Sequence, residues 1–188
     1  MGRSVRTLLP GGLAALLVWG TACGARSAEE RGPVVVLRQA ARDSMSAAFA
    51  RSNEHWNELA DLNTMEWMLG TIRPTQREYL GCLQGQVNGE AVEIDGWVPA
   101  RNMRQLQLAV AGSCDSVPRL VGTWHTHPFR ADLRNLPVKE RRLSTQDLQA
   151  FGGSRFRVTL VMWDHDSIDA ALRTRPGATL HPARVVVR

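Results

Sequence analysis

Two histidines stand one residue apart near the middle of the chain, in the run His125-Thr126-His127-Pro128. The segment Leu120–Thr126 predicts a β-strand that Pro128 ends. Side chains two residues apart on a strand project from the same face, so both imidazoles point together while Thr126 points away. Such a pair can bind one zinc ion, but the same pattern also fits two half-exposed histidines at a strand end without a metal.

Two further segments place polar side chains at the ends of predicted elements. The run Ser144-Thr145-Gln146-Asp147 puts a hydroxyl and a carboxylate in the first turn of a helix. Alone, this pattern indicates only a helix start, because it is close to a capping box. Glu78 precedes an apolar, glycine-containing segment and so lies at the mouth of a predicted strand, where a glutamate is ordinarily a solvated charge.

Taken together and in this order, the three segments resemble the signature of the JAMM metallopeptidases (also called MPN+ or JAB domain), prokaryotic type. The resemblance covers about residues 78–163. It implies that His125, His127 and Asp147 bind Zn²⁺ and leave the fourth position to water. It also implies that Glu78 is the general base that passes the water proton to the leaving amine, and that Ser144 donates to the oxyanion.

The function that this resemblance implies is hydrolysis of peptide or isopeptide bonds in a peptide or protein substrate. The alternative is a non-catalytic JAMM-like binding or scaffold module at the cell envelope. Catalytically inactive relatives typically lose a histidine or the aspartate, and this chain retains all three residues. We therefore expect an enzyme, and the oligomeric state stays open.

One departure from the family pattern concerns the third ligand. The connection between His127 and Ser144, residues 128–143, is longer than the family usually has. If the extra length does not bulge outward, Asp132 is the substitute ligand, but Asp147 is favoured because Asp132 lacks the Ser-x-x-Asp context. The basic side chains of this loop either form a solvated surface or shape the substrate groove; they are Arg130, Arg134, Lys139, Arg141 and Arg142.

The N-terminal residues predict export. Residues 1–22 combine a short basic start with a brief apolar run, as in a secretory signal peptide, and residues 23–33 are a small, polar tether before a single catalytic domain at 34–188. Small residues before Cys23 resemble a lipoprotein signal, although Gly20 stands where that signal has a branched apolar residue. The alternatives are cleavage after Ala25 and an uncleaved anchor. We expect a location at the cell envelope or in the periplasm, with membrane attachment only through a lipid on Cys23.

The other two cysteines allow two interpretations. In an oxidising compartment, Cys82 and Cys114 can form a disulfide. Cys82 also lies in an apolar run, where a free cysteine behaves as a small buried hydrophobic residue. The sequence leaves both open, and we favour the second.

Composition bounds the class of protein. The 188 residues suffice for about one domain, and 44% apolar with 22% charged residues argues against a disordered chain or a polytopic membrane protein. The net charge is +5, but the basic residues, all except Lys139 arginine, are spread along the chain. Nucleic acid is therefore not an expected partner.

Hydrophobic periodicity predicts an α/β sandwich, a mixed and mostly antiparallel sheet flanked by helices, which agrees with the JAMM/cytidine-deaminase-like fold that the resemblance implies. A helix is expected from Leu37 to about Arg51, continuing or restarting after Ser52. The remaining predicted elements are a hairpin of Tyr79–Val87 and Ala91–Val98 around Asn88-Gly89, the strand Leu120–Thr126, a loop at 128–143, the helix Ser144–Phe151 stopped by Gly152-Gly153, strands Phe156–Trp163 and Ser167–Leu172, and an edge strand at Val185–Val187.

Overall fold

A computed structural model describes residues 32–53, 77–105, 109–131, 137–175 and 177–188. Several predictions lie outside these residues and stay predictions: the signal peptide, most of the tether, the helix after Ser52, and Asp132 as a ligand. From Gly32 to Arg188 the chain packs as one compact unit.

Most of the described chain is β-strand. Eight strands form one mixed sheet in the order β11-β10-β9-β6-β2-β3-β1-β12, and two short two-stranded sheets pair β4 with β5 and β7 with β8. The strands are β1 Val34–Leu37, β2 Leu80–Asn88, β3 Ala91–Pro99, β4 Arg101–Gln105, β5 Val110–Ser113, β6 Leu120–Thr126, β7 Arg130–Ala131, β8 Pro137–Val138, β9 Val158–Asp164, β10 Ser167–Leu172, β11 His181–Pro182 and β12 Arg184–Val187. The described helices are α1, Gln39–Ser52, and α2, Thr145–Gly153.

The mixed α/β class is confirmed, but the sheet is more barrel-like than the expected helix-flanked sandwich. Strand β2 pairs antiparallel with β3 and β6, whereas β6 and β9 are parallel. Strands β11 and β12 lie at opposite ends of the strand order, although only Ala183 separates them in the chain. The Ala183 N–H also donates to the Ala170 carbonyl of β10, 3.0 Å away. One residue cannot span an open eight-stranded sheet, so the two ends approach and the sheet nearly closes.

The strongest local patterns give the elements that were expected. Strand β6 has the predicted bounds, and β2 and β3 form the hairpin, with Gly89 at a φ of 62° in its turn. The backbone needs glycine there because other residues rarely adopt a positive φ. Strands β9, β10 and β12 also lie close to the predicted segments.

Three local predictions are wrong in detail. The helix does not begin at Leu37: Val35 and Leu37 are the buried, alternate residues of β1, whose period of two indicates a strand. The glycines at 152 and 153 do not stop α2 but form its last turn, because its cap is Ser154. The expected loop at 128–143 contains the short pair β7 and β8.

The main core lies between α1 and the sheet. Helix α1 buries Ala41, Met45, Ala48 and Phe49, which recur at the three- and four-residue steps of a helical face. Trp124 joins them from β6, as expected for a side chain that faces away from the histidines. A Cβ at Gly81 of the paired strand would lie 2.0 Å from Trp124 Nε1, so only glycine lets this indole pack.

The preference for an unpaired Cys82 is wrong. Cys82 is fully buried, but it forms a disulfide with Cys114 across 32 residues of sequence. Both belong to a second, smaller core cluster with Ala100. The pairing depends on how β2 meets the end of β5, which no local pattern reveals. Among the described residues, the helices are too short or too polar to cross a bilayer.

Replacing both Cys82 and Cys114 by alanine should lower the free energy of unfolding by about 3–4 kcal/mol, because a loop of this length is no longer closed in the unfolded chain. Urea unfolding of the oxidised protein and of the double variant measures the difference. Dithiothreitol should destabilise the parent to a similar extent and leave the variant unchanged. An equal loss in both on reduction would contradict a disulfide.

Candidate metal centre

The end of β6 holds His125 and His127 in place through backbone bonds on both sides. The Thr126 N–H donates to the Tyr79 carbonyl at 3.0 Å, and the His127 N–H donates to the Met162 carbonyl at 2.9 Å. The two histidines are 7% and 3% exposed. The backbone at the end of β6 is therefore hydrogen-bonded on both sides, and it holds two buried imidazoles that have little freedom to move.

Helix α2 brings Asp147 to the same point. The His125 Nε2 and Asp147 Oδ1 atoms are 3.2 Å apart, and the His127 Nε2 and Asp147 Oδ2 atoms are 3.4 Å apart. The two Nε2 atoms are themselves separated by 3.1 Å. Among the described residues, these three side chains form a group that can hold a metal ion.

The donor set fits a tetrahedral metal. Two ligands bound at about 2.0–2.1 Å to a tetrahedral ion lie about 3.3 Å apart, which is 1.63 times the bond length. The two Nε2 atoms, 3.1 Å apart, are close to this value, and each lies within 3.4 Å of a different oxygen of Asp147, so one ion can be reached by all three side chains. Two imidazole nitrogens and one carboxylate also match the ligands of catalytic zinc sites.

The start of α2 serves as a helix cap and as part of the site. Ser144 is the N-cap: its Oγ accepts from the Asp147 N–H at 3.1 Å, and Asp147 Oδ2 accepts from the Ser144 N–H at 2.7 Å. This is a capping box, so the structural interpretation of Ser-x-x-Asp is confirmed. The same two bonds hold the Asp147 carboxylate toward the histidines, and the two interpretations are therefore compatible.

A backbone carbonyl sets the tautomer of His127. Its Nδ1 lies 3.1 Å from the carbonyl oxygen of Glu140, which can only accept a hydrogen bond. The neutral ring consequently carries its proton on Nδ1 and turns its Nε2 lone pair toward the cluster. Bonds of this kind orient metal-binding histidines in proteins.

Asp147 and the histidines stabilise each other's charged forms. Burial alone would lower the pKa of His127, but hydrogen bonds to Asp147 and to the Glu140 carbonyl outweigh it and raise the pKa above 6.5. Burial would likewise raise the pKa of Asp147, yet hydrogen bonds from His125, His127 and Ser144 hold it far below its ordinary value. Asp147 is therefore an anion at neutral pH, and the position between the three side chains favours a cation.

The cluster forms one wall of an open pocket of about 590 Å³, within the range of ligand sites. Glu78 and Ser144 line the same pocket, and apolar side chains such as Leu80 and Phe156 line its other walls. Glu78 is 5% exposed, and Gln105 Nε2 donates to its backbone carbonyl at 2.9 Å. The structure thus brings all five predicted site residues to one cavity.

Two contacts to the site have no signal in the sequence. The Glu140 carbonyl acts through its backbone, so its residue type indicates nothing, and Gln105 is brought to Glu78 from β4, a strand that the hydrophobic pattern did not predict. Arg142 adopts a φ of 70°, a sharp turn of the backbone between Glu140 and the Ser144 cap. Only the folded chain reveals how this turn and these two contacts reach the site.

The metal-free protein should take up about one zinc ion per chain, with an affinity that falls from about pH 8 to about pH 5 because protons compete for the imidazoles. The raised pKa of His127 moves this competition toward neutral pH. Titration against a chromophoric chelator at several pH values measures both properties.

The variants His125→Ala, His127→Ala and Asp147→Asn should each lose this zinc. Exposed His181, outside the cluster, provides the matched control, and His181→Ala should bind as the parent does. An affinity that is independent of pH, or that survives these three substitutions, would exclude the cluster as the binding site.

The chain matches no protein-family model, and no curated protein matches it with significance.

Proposed function

We propose that this protein is an exported, zinc-dependent hydrolase of peptide or isopeptide bonds, of JAMM type. One observation carries the proposal: His125, His127 and Asp147 offer ligand atoms within 4.8 Å of one another in the wall of a pocket that Glu78 and Ser144 also line. A structural metal site is ordinarily closed by four protein ligands. Among the residues that the structure describes, the cluster offers three ligands and opens into a cavity, as catalytic zinc sites do.

In the proposed reaction, Glu78 is the general base. When bound, zinc supplies Lewis acidity that lowers the pKa of a coordinated water toward about 7. The Glu78 carboxylate takes the water proton as the oxygen attacks the amide carbon, and it returns this proton to the leaving amine as the C–N bond breaks. The reaction consumes one water and yields a carboxylic acid and an amine without a covalent intermediate.

Ser144 is the proposed donor to the developing oxyanion. Its Oγ accepts the Asp147 N–H, and its side chain also hydrogen-bonds the Asp147 carboxylate, from which the hydroxyl proton would turn to the substrate oxygen. The same bond fixes the Oγ atom at the rim of the cluster. A donor held in this way needs only to rotate its O–H bond to stabilise negative charge on the substrate oxygen.

The substrate class and location belong to the same proposal. A pocket of this volume admits a short stretch of a peptide or protein chain. The Cys82–Cys114 disulfide supports an oxidising compartment, such as the cell envelope or periplasm, since disulfides persist there and are rare in the cytosol. Attachment through a lipid on Cys23 remains part of the proposal.

Glu78→Gln should abolish hydrolysis while zinc stays bound, because the amide keeps the shape of the side chain but cannot accept the proton. Cleavage of a peptide library, with zinc content measured on the same samples, tests this. Glu90→Gln, an exposed change in the β2–β3 turn, is the control and should keep full activity. Retained activity in Glu78→Gln would refute its role as the base.

If the parent binds zinc but cleaves no peptide or protein at any pH, the alternative of a non-catalytic binding module is supported instead. Failure to bind zinc at all would exclude both the enzyme and a metal-dependent module.

The cap and donor roles of Ser144 can be separated with two substitutions. Ser144→Ala and Ser144→Gly both remove the hydroxyl and should lower kcat by about 10²–10³-fold. Only Ser144→Ala should also lose about 1 kcal/mol of stability, because glycine is tolerated at an N-cap at a cost of a few tenths. Steady-state kinetics and thermal unfolding measure the two effects. Full activity of Ser144→Gly would limit Ser144 to helix capping.

A further inference from the structure

Arg173 is a charged side chain placed almost wholly inside the protein. It follows β10, is 2% exposed, and its burial lowers its pKa. Among the described residues no carboxylate lies within ion-pair distance of it, and its Nε atom has no hydrogen-bond partner. Burying a cation without a counter-ion is costly, so the contacts that do compensate it indicate what the residue does.

Those contacts all lie at the C-terminal end of α2. Arg173 Nη1 donates to the Ser154 carbonyl at 3.0 Å, and Nη2 donates to the Phe151 carbonyl. The guanidinium also lies over the Phe151 ring, 4.4 Å from its centroid. The last carbonyls of a helix have no partner within the helix and carry its partial negative charge, which a cation stabilises.

Helix α2 has little else to hold it. It has nine residues, of which only Phe151 is buried, and its last two are glycines, which are poor helix formers. Helices of this length are marginal on their own in water. At the other end, the Leu143 N–H donates to Asp169 Oδ2 at 2.9 Å, just before the cap. The placement of this helix against the sheet, and with it the position of the Asp147 carboxylate beside the histidines, therefore depends on few tertiary contacts.

We infer that Arg173 is a positioning residue for the metal centre: by holding the C-terminal end of α2, it sets where Asp147 meets His125 and His127. The helix has a carboxylate in its first turn and a guanidinium against its last carbonyls, so charges of the favourable sign lie at both ends. Phe151 and Ser154, which Arg173 contacts, also line the pocket of the centre. This inference rests on the proposed metal site, but the anchoring of α2 is measurable without metal.

The test uses Arg173→Lys and Arg173→Met. Lysine keeps the charge but lacks the planar fork that reaches two carbonyls, and methionine removes both. We expect zinc affinity, measured by chelator competition, to fall by about 10- to 100-fold in Arg173→Met and by less in Arg173→Lys. In the metal-free proteins, backbone amides of α2 should exchange with deuterium faster than in the parent, while amides of β2 and β6 should not.

Val92→Ala is the matched control, since Val92 is fully buried and lies opposite Val87 at the hairpin end of β2, whereas His125 lies opposite Leu80 at the other end. It should lower thermal stability but leave zinc affinity and α2 exchange unchanged, which separates positioning from general destabilisation. If Arg173→Met does not fold, Arg173→Lys decides.

Parent-like zinc affinity and parent-like α2 exchange in the Arg173 variants that fold would overturn the inference. A parent protein that binds no zinc would instead refute the proposed function, and the exchange of α2 would still show whether Arg173 holds the helix.

Discussion

The site depends on keeping the Asp147 carboxylate charged in a largely enclosed position beside two imidazoles. Burial opposes that charge, and it is overcome by hydrogen bonds from the side chains of His125, His127 and Ser144, while the Ser144 N–H also donates to Asp147 Oδ2. A raised pKa at His127 shows that the surroundings favour an extra positive charge at this point. A divalent cation supplies such a charge through the same donor atoms, which explains why a metal suits this arrangement better than an apolar filling.

The two halves of the cluster are supported in different ways. His125 lies on β6 and His127 directly follows it; the strand is paired on both sides and packed through Trp124, so the positions of both histidines follow from the sheet. Asp147 lies on a short helix with a single buried residue, held at its ends by Asp169 and Arg173. The geometry of the centre therefore requires the sheet and the helix to be joined correctly, and β10, which carries Asp169, is kept beside them by pairing with β9, the neighbour of β6.

Sequence alone was sufficient where the stabilising interaction is local. The period of two along Leu120–Thr126 placed both histidines on one face, and Asn88-Gly89 predicted the hairpin because few other residues adopt its turn. Ser-x-x-Asp predicted the start of α2 through bonds between residues three apart. These patterns placed the side chains of the candidate site at the ends of elements, whereas the resemblance to the JAMM signature proposed their roles.

The tertiary structure decided what depends on residues far apart in the chain. The Cys82–Cys114 pairing, the meeting of the two ends of the sheet, and the strand at Val34–Leu37 all follow from long-range pairing, for which hydrophobic pattern carries no register. The Glu140 carbonyl beside His127 belongs to a backbone that every residue type shares. Amino-acid types thus identified the groups able to do chemistry, whereas only packing determined which distant groups hold them in position.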